Sequence, residues 1–141
     1  MPDFTSLADL LNYIEKTAVR AVQERDSETQ RTMIETGEKH VQTDVYDIYS
    51  PTTYQRTGQL KKDWEIDNTI DGISMKNIRT DEETGNDIAY TVETGKGYKY
   101  PFPFSDTPRP FVANTAEELK NSGILKQSVK SDLKKLGLSV E

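Results

Sequence analysis

The sequence predicts an α+β fold: a long N-terminal helical region packed on a small antiparallel β-sheet of three to four strands, then a helix and a short C-terminal helix. Apolar residues recur every three or four positions at both ends of the chain, which is typical of amphipathic helices. Between residues 60 and 92 they alternate instead, as in strands. The 141 residues fit a single domain. We divide it into a helical region (1–49), a β-meander (50–94), an aromatic and proline-rich loop (95–108) and C-terminal helices (109–141).

The helical region has one apolar stripe that Pro51 ends, because proline disfavours helical geometry in the residue before it. A single helix over residues 5–49 would be roughly 65 Å long, whereas a domain of this size has a radius of gyration of about 14 Å. We therefore expect either a bend near Gly37 or a polar middle that protrudes or meets a neighbour. Two helical pieces, or one long helix with a weak point, fit this best. The stripe consists of Leu7, Leu10, Leu11, Ile14, Ala18, Ala21 and Val22, resumed at Val41, Val45 and Ile48.

The β-meander is predicted from three short alternating runs. The first is Leu60, Lys62, Trp64 and Ile66, the second Ile73, Met75 and Asn77, and the third Ile88, Tyr90 and Val92. Asp71-Gly72 between the first two runs is a hairpin signal. Three strands joined by antiparallel connections are the simplest arrangement of these runs.

The segment from Gly95 to Pro110, which includes this loop, contains four prolines, which cannot donate to a sheet ladder. Pro110 suits the first turn of the next helix. Phe111 begins the apolar face of that helix, and Gly123 marks the end of the helix. The last segment predicts a short helix with a basic face. That face comprises Lys126, Lys130, Lys134 and Lys135.

Composition excludes several classes of function. The absence of Cys rules out disulfide scaffolds and thiolate metal sites, and a single histidine, His40, leaves too few imidazoles for a Ser-His triad or a multi-His metal centre. No apolar run reaches membrane-spanning length or forms a signal peptide, so we expect neither a membrane protein nor a secreted precursor. We expect no cofactor and no catalytic activity.

Charge is unevenly distributed within the net charge of -6. Residues 1–94 carry 19 acidic and 10 basic side chains, giving -9, and residues 95–141 carry 5 and 8, giving +3. The acidic part offers no basic patch for gripping DNA. The two parts could complement each other between subunits.

The candidate chemical motifs are weak. Asp63 and Glu65 fit a charged strand face better than a catalytic pair. Gly95-Lys96-Gly97 is too short for a phosphate loop. His40 fits a solvent-facing or partly packed helix residue, and the acidic run fits a hairpin tip better than a Ca²⁺ loop. That run comprises Asp81, Glu82, Glu83 and Asp87.

The aromatic side chains of the loop have three possible roles. They could stack single-stranded bases, anchor a protein partner or pack inward beneath the loop. The candidates for a subunit interface are Tyr98, Tyr100, Phe102 and Phe104.

A series of ordered blocks carries a resemblance. Tyr49 and Tyr54 precede Arg56-Thr57-Gly58, Leu60 and Trp64; Ile88 to Glu93 and Gly95 follow, and then Arg109-Pro110-Phe111 leads into a helix. This order resembles the neck family of long-tailed phages and prophages, also described as head–tail joining, minor capsid or tail-completion proteins. The blocks span residues 49–119, and the segment 96–107 is enlarged relative to the family pattern.

The resemblance implies a structural component of the virion neck, assembled in the host cytoplasm. Its subunits would form a hexameric ring between head-closure and tail-terminator proteins, with DNA passing through the lumen without sequence-specific contacts. An alternative is a non-enzymatic adaptor that binds a protein partner through the aromatic loop.

The resemblance also suggests residue roles. Gly58 would take a positive φ angle, Arg56 would pair with Glu93 or an acid of another subunit, and Phe111 would be buried. The matched positions are Tyr54, Arg56, Gly58, Leu60, Trp64, Tyr90, Glu93, Gly95, Arg109, Pro110 and Phe111. Of these, Leu60, Trp64 and Tyr90, together with Val92, would face the helices as core.

Overall fold

The structure is a computed structural model that describes residues 6–49, 58–81, 84–98 and 102–138. The chain folds as a mixed α+β domain, as predicted. Its helices are α1 (Leu7–Gln23), α2 (Glu28–Val41), α3 (Gln59–Lys62), α4 (Ile88–Thr94), α5 (Phe111–Asn121) and α6 (Ile124–Lys135), and its strands are β1 (Trp64–Thr69) and β2 (Gly72–Asn77). A π-helical turn, Gln42–Tyr46, extends α2.

The N-terminal region forms two helices, as expected, but the break lies between Gln23 and Glu28 rather than at Gly37. Asp26 takes a left-handed conformation with φ of 62°, and Ser27 then caps α2 by accepting the N–H of Gln30. Gly37 lies inside α2, so its low helix propensity does not break the helix.

A distant carboxylate fixes the corner between α1 and α2. Asp132 on α6 is buried, and its Oδ1 and Oδ2 accept the N–H groups of Glu28 and Thr29, each at 2.8 Å. The first N–H groups of a helix have no partner within the helix, and the helix dipole favours negative charge there. Asp132 therefore ties the start of α2 to α6.

The sheet of the described residues has two strands, fewer than the three to four predicted. β1 and β2 pair antiparallel, with Trp64 opposite Asn77 and Thr69 opposite Gly72, so the hairpin predicted at Asp71-Gly72 is confirmed. The side-chain amide of Gln23 donates to the carbonyls of Thr69 and Gly72, both at 2.8 Å. These bonds fasten the hairpin to the end of α1.

The predicted third strand is helix α4. Asp87 caps its start by accepting the N–H of Tyr90, and Gly95 ends it in a left-handed conformation with φ of 75°. The spacing of Ile88 and Val92 fits one face of a helix as well as alternate positions of a strand. Leu60 likewise lies in a helix, α3, rather than in the first strand.

The core lies between α2, the π-helical turn, α3, α4 and the start of α5. Its buried members are Val41, Val45, Leu60, Ala89, Val92 and Phe111, with Tyr46, Trp64, Ile88 and Val112 packed against them. No helix among the described residues is both long and apolar enough to cross a bilayer.

Candidate functional site: the motif joint

Five of the motif residues lie in or beside β1, α4 and α5, and their contacts connect these segments and the aromatic loop. We call this cluster of Trp64, Glu93, Gly95, Arg109 and Phe111 the motif joint. The residues are distant in sequence, yet each contacts another element of the fold.

Phe111 and Trp64 form the aromatic part of the joint, in which Phe111 is buried and Trp64 is half-buried. The Phe111 side chain is fully buried, as predicted, and its ring meets the Trp64 ring edge to face with centroids 5.8 Å apart. The indole also lies against Gly37 in α2. A Cβ atom at Gly37 would stand 2.7 Å from Cε2 of Trp64, closer than real atoms approach. Gly37 is therefore a packing position for Trp64.

Glu93 caps the start of α5 from a distance. Pro110, which precedes this helix, offers no capping side chain. The Oε2 atom of Glu93 accepts the N–H of Val112 at 2.7 Å, and Oε1 accepts that of Ala113 at 3.1 Å. This is a role that the sequence analysis missed. The other partner proposed for Glu93, Arg56, lies outside the described residues.

Gly95 is required by a close approach of backbone. A Cβ atom there would lie 2.6 Å from the backbone nitrogen of Thr107, and its positive φ angle also disfavours other residues. The carbonyl of Gly95 accepts the N–H of Asp106 at 2.7 Å. These contacts close the base of the aromatic loop.

Arg109 organises the aromatic side chains of the loop. It is 6% exposed, and one of its terminal nitrogens donates to the Tyr98 hydroxyl at 2.8 Å. Its guanidinium carbon lies 4.4 Å from the ring centroid of Phe104 and 5.6 Å from that of Phe102. Tyr49 adds edge-on ring contacts to both phenylalanines. The loop aromatics that the structure describes are thus half-buried around a cation.

Other predicted residues lie away from the joint. Tyr90, expected in the core, is exposed on α4, because the helix turns it away from the face that carries Ala89 and Val92. Gly58 has φ of 80°, as predicted, and Leu60 is buried. Tyr54, Arg56 and Tyr100 lie outside the described residues.

The weak chemical motifs have structural contacts in this fold. Asp63 lies 3.7 Å from Arg79, Asp87 caps α4, and Lys96 lies 3.5 Å from Asp106. Glu82 and Glu83 lie outside the described residues. Within the described parts of the chain, no group of three or more acidic or histidine side chains is arranged to hold a metal ion.

A polar cluster between α2 and α5 was not predicted. The two ring nitrogens of His40 lie 2.7 Å from Asp44 and 3.2 Å from Glu118, and Asn114 donates to Asp44 at 3.0 Å. The spacing of His40 and Asp44, one helical turn apart, was the available signal. This spacing does not predict that Asn114 and Glu118 of α5 join the cluster.

Two carboxyl groups in this cluster have lowered pKa values. The hydrogen bond from Lys39, with Nζ 2.6 Å from Oε2, holds the pKa of Glu118 below its ordinary value, and burial opposes this. Burial raises the pKa of Asp44, but hydrogen bonds with Asn114 and His40 outweigh it, so the pKa is lowered. Both groups therefore favour the charged form that binds α2 to α5.

The described part of the chain is thus an α+β domain whose motif residues form a packing joint. The chain belongs to the YomN family, whose model matches residues 6–135. It is 37% identical over 139 residues to the SPbeta prophage-derived uncharacterized protein YomN of Bacillus subtilis (strain 168), covering 96% of this chain and 98% of the relative. No solved structure matches it. The family and the prophage origin of the relative make this a phage-related protein.

Proposed function

We propose that this protein is a structural component of the phage neck that joins the DNA-filled head to the tail. It acts as one subunit of a hexameric ring between head-closure and tail-terminator proteins, and has no catalytic role. The phage-related family and the ordered motif blocks support this role. In the assembled virion the DNA passes through the ring without sequence-specific contacts.

The observation that carries the proposal is an uncovered apolar face on α1. Thr17 and Ala21 are buried against the domain, but the same face continues toward the N-terminus as Leu7, Leu11 and Ile14, which are 71%, 57% and 39% exposed. Helix geometry places these three side chains on one stripe over about two turns. Exposed apolar stripes of this kind mark interaction surfaces, and a ring subunit has neighbours to cover them.

The charge distribution is consistent with a DNA channel. The excess acidic charge lies in residues 1–94, and an acidic lumen would repel phosphates so that DNA slides past it. Lys126 and Lys134 are exposed on α6, on the basic part of the chain. A basic face of one subunit can meet an acidic face of the next.

The alternative function, an adaptor that binds a partner through the aromatic loop, has less support. Phe102 and Phe104 turn toward Arg109 and Tyr49 of the same chain. Their contact area is thereby used within the domain. The stripe on α1 is the larger apolar surface left for another protein.

Deletion of the gene from a phage that encodes this protein tests the proposal. Electron microscopy of the lysate should show DNA-filled heads and finished tails that remain separate, and purified protein added to the lysate should restore joined, infectious particles. The Leu11→Glu variant should fail to restore them. Asn12→Glu, which places the same charge on the exposed polar face of α1, should succeed. Complete particles in the deletion lysate would refute the neck role.

A further inference from the structure

A cavity of about 350 Å³ opens beside the motif joint. It lies between the turn that precedes α4, α4 itself and the aromatic loop. Its wall includes Asn86, Ile88, Val92, Tyr98, Phe102 and Arg109. This volume is at the lower end of the roughly 300–1,000 Å³ typical of small-ligand sites. It suits a small molecule or the last residue of a peptide.

Arg109 is a basic group of this wall, and its charge is incompletely compensated. The residue is more than nine-tenths buried, and the Nε–H group has no hydrogen-bond partner. No carboxylate of the described residues lies within ion-pair distance of it; its partners are the Tyr98 hydroxyl and the two phenylalanine rings. Ring faces offset only part of the cost of burying a cation. The buried guanidinium therefore has no counter-charge among the described residues, and an anion in the cavity would supply one.

We propose that this cavity binds a carboxylate carried on an apolar group. The guanidinium pairs with the carboxylate through charge-assisted hydrogen bonds, the strongest kind that a planar fork of N–H donors makes. Ile88, Val92 and Phe102 supply an apolar wall for the body of the ligand. The site is independent of the neck role.

A second charged residue orients the ligand. Asp81 lines the same cavity, and a carboxylate near it would be repelled. The ligand must therefore place its carboxylate on the Arg109 side. Such a carboxylate could belong to a free small acid or to the C-terminus of a polypeptide.

The test is a titration of the full-length, ¹⁵N-labelled chain followed by the Nε–H signal of Arg109. The probes are 3-phenylpropionate, its uncharged amide 3-phenylpropionamide, and the tripeptide Gly-Gly-Phe with a free or an amidated C-terminus. Both carboxylates should shift the signal in a saturable way, and both amides should bind at least about tenfold more weakly, because they lack the charge. Tighter binding of the peptide than of the small acid identifies a chain terminus as the ligand; the reverse identifies a free acid.

Variants separate the site from a structural role of Arg109. Asn86→Trp, a change at an exposed position of the wall, leaves Arg109 intact but obstructs the cavity, and should abolish the shift. Arg109→Lys should weaken binding about tenfold, since a lysine loses the fork of donors. Lys96→Ala removes an exposed cation of the same loop and should leave binding unchanged. Equal binding of acids and amides, no saturable shift, or an Asn86→Trp variant that binds normally would overturn the proposal.

Discussion

Helices α1 and α5 each carry one apolar face, but only α5 has that face covered along its length. Phe111, Thr115 and Leu119 recur at intervals of four along α5, and all three are buried. On α1 the same kind of pattern is buried only in its C-terminal half, while Leu11 and Ile14 face outward. The comparison teaches that the apolar period predicts which face of a helix packs against other residues. The period does not predict whether those residues belong to the same chain or to another one.

The largest effect on folding is expected at the start of α5. Phe111→Ala and Trp64→Ala should each lower the free energy of unfolding by about 3–5 kcal/mol, because each removes a large aromatic group that lies in the core or packs against it. The double variant should reveal a coupling of about 0.5–1.5 kcal/mol from their edge-to-face contact. Urea unfolding of the four proteins measures these values. An unchanged unfolding midpoint for Trp64→Ala would show that the indole does not stabilise the core.

The next effect concerns the contact of α2 with the same indole. Gly37→Ala should destabilise the protein by about 1–3 kcal/mol, because the new methyl group would lie 2.7 Å from the Trp64 ring. In a Trp64→Ala background the clash is gone, and the better helix propensity of alanine should stabilise the protein by about 1 kcal/mol. Urea unfolding of Gly37→Ala in both backgrounds should therefore show a change in unfolding free energy of opposite sign. A destabilising effect of equal size in both backgrounds would show that Trp64 is not the cause.

The remote cap of α5 gives a smaller effect. Glu93→Gln keeps the shape of the side chain but leaves one carbonyl oxygen to accept the N–H groups of Val112 and Ala113, and should cost about 1–2 kcal/mol. Glu117→Gln, an exposed change on the same helix, is the matched control and should stay within about 0.5 kcal/mol of the wild type. Equal unfolding midpoints for the two variants would contradict a capping role.

The polar contact of α5 with α2 predicts a dependence on pH. The pKa values of Asp44 and Glu118 are lowered in the folded protein, so the unfolded chain takes up protons first as the pH falls. The stability that these two carboxylates contribute to the fold is therefore complete above the ordinary glutamate pKa of 4.5. It is lost as the pH falls below that value. Because both groups are partly exposed, we expect at most about 1 kcal/mol. Between about pH 6 and about pH 3, the free energy of unfolding should depend less on pH in Glu118→Gln than in the wild type. An identical dependence in both proteins would show that Glu118 does not contribute to it.

The sequence predicts the elements better than their contacts. The two N-terminal helices, the hairpin and the burial of Phe111 follow from periods and turn residues close together in the chain. The sequence predicts a strand where helix α4 lies, because seven residues are too few to separate the two periods, although Asp87 and Gly95 carry the capping signals. The prediction therefore fails where a short segment fits both patterns.

The candidate site is harder to predict because its contacts join distant segments. Asp132 caps a helix that begins 104 residues earlier, and Glu93 accepts the N–H of Val112, which lies 19 residues later. An isolated carboxylate in a chain with 24 acidic residues gives no sign of such a role. The aromatic residues were recognised as a group, but their packing around Arg109 depends on the folded loop.

The smallest effect on folding, with the largest expected effect on assembly, belongs to the exposed end of α1. Leu11→Glu should change the free energy of unfolding by less than about 0.5 kcal/mol, since the side chain is mostly in water already. If neighbouring subunits cover this stripe, the same variant should fail to form the ring, because assembly would bury an unpaired charge. Light scattering of the joined complex, beside urea unfolding of the isolated chain, separates the two effects. A variant that loses stability but assembles normally would place Leu11 in the domain core. The apolar face of α1 would then be covered within the domain, as that of α5 is.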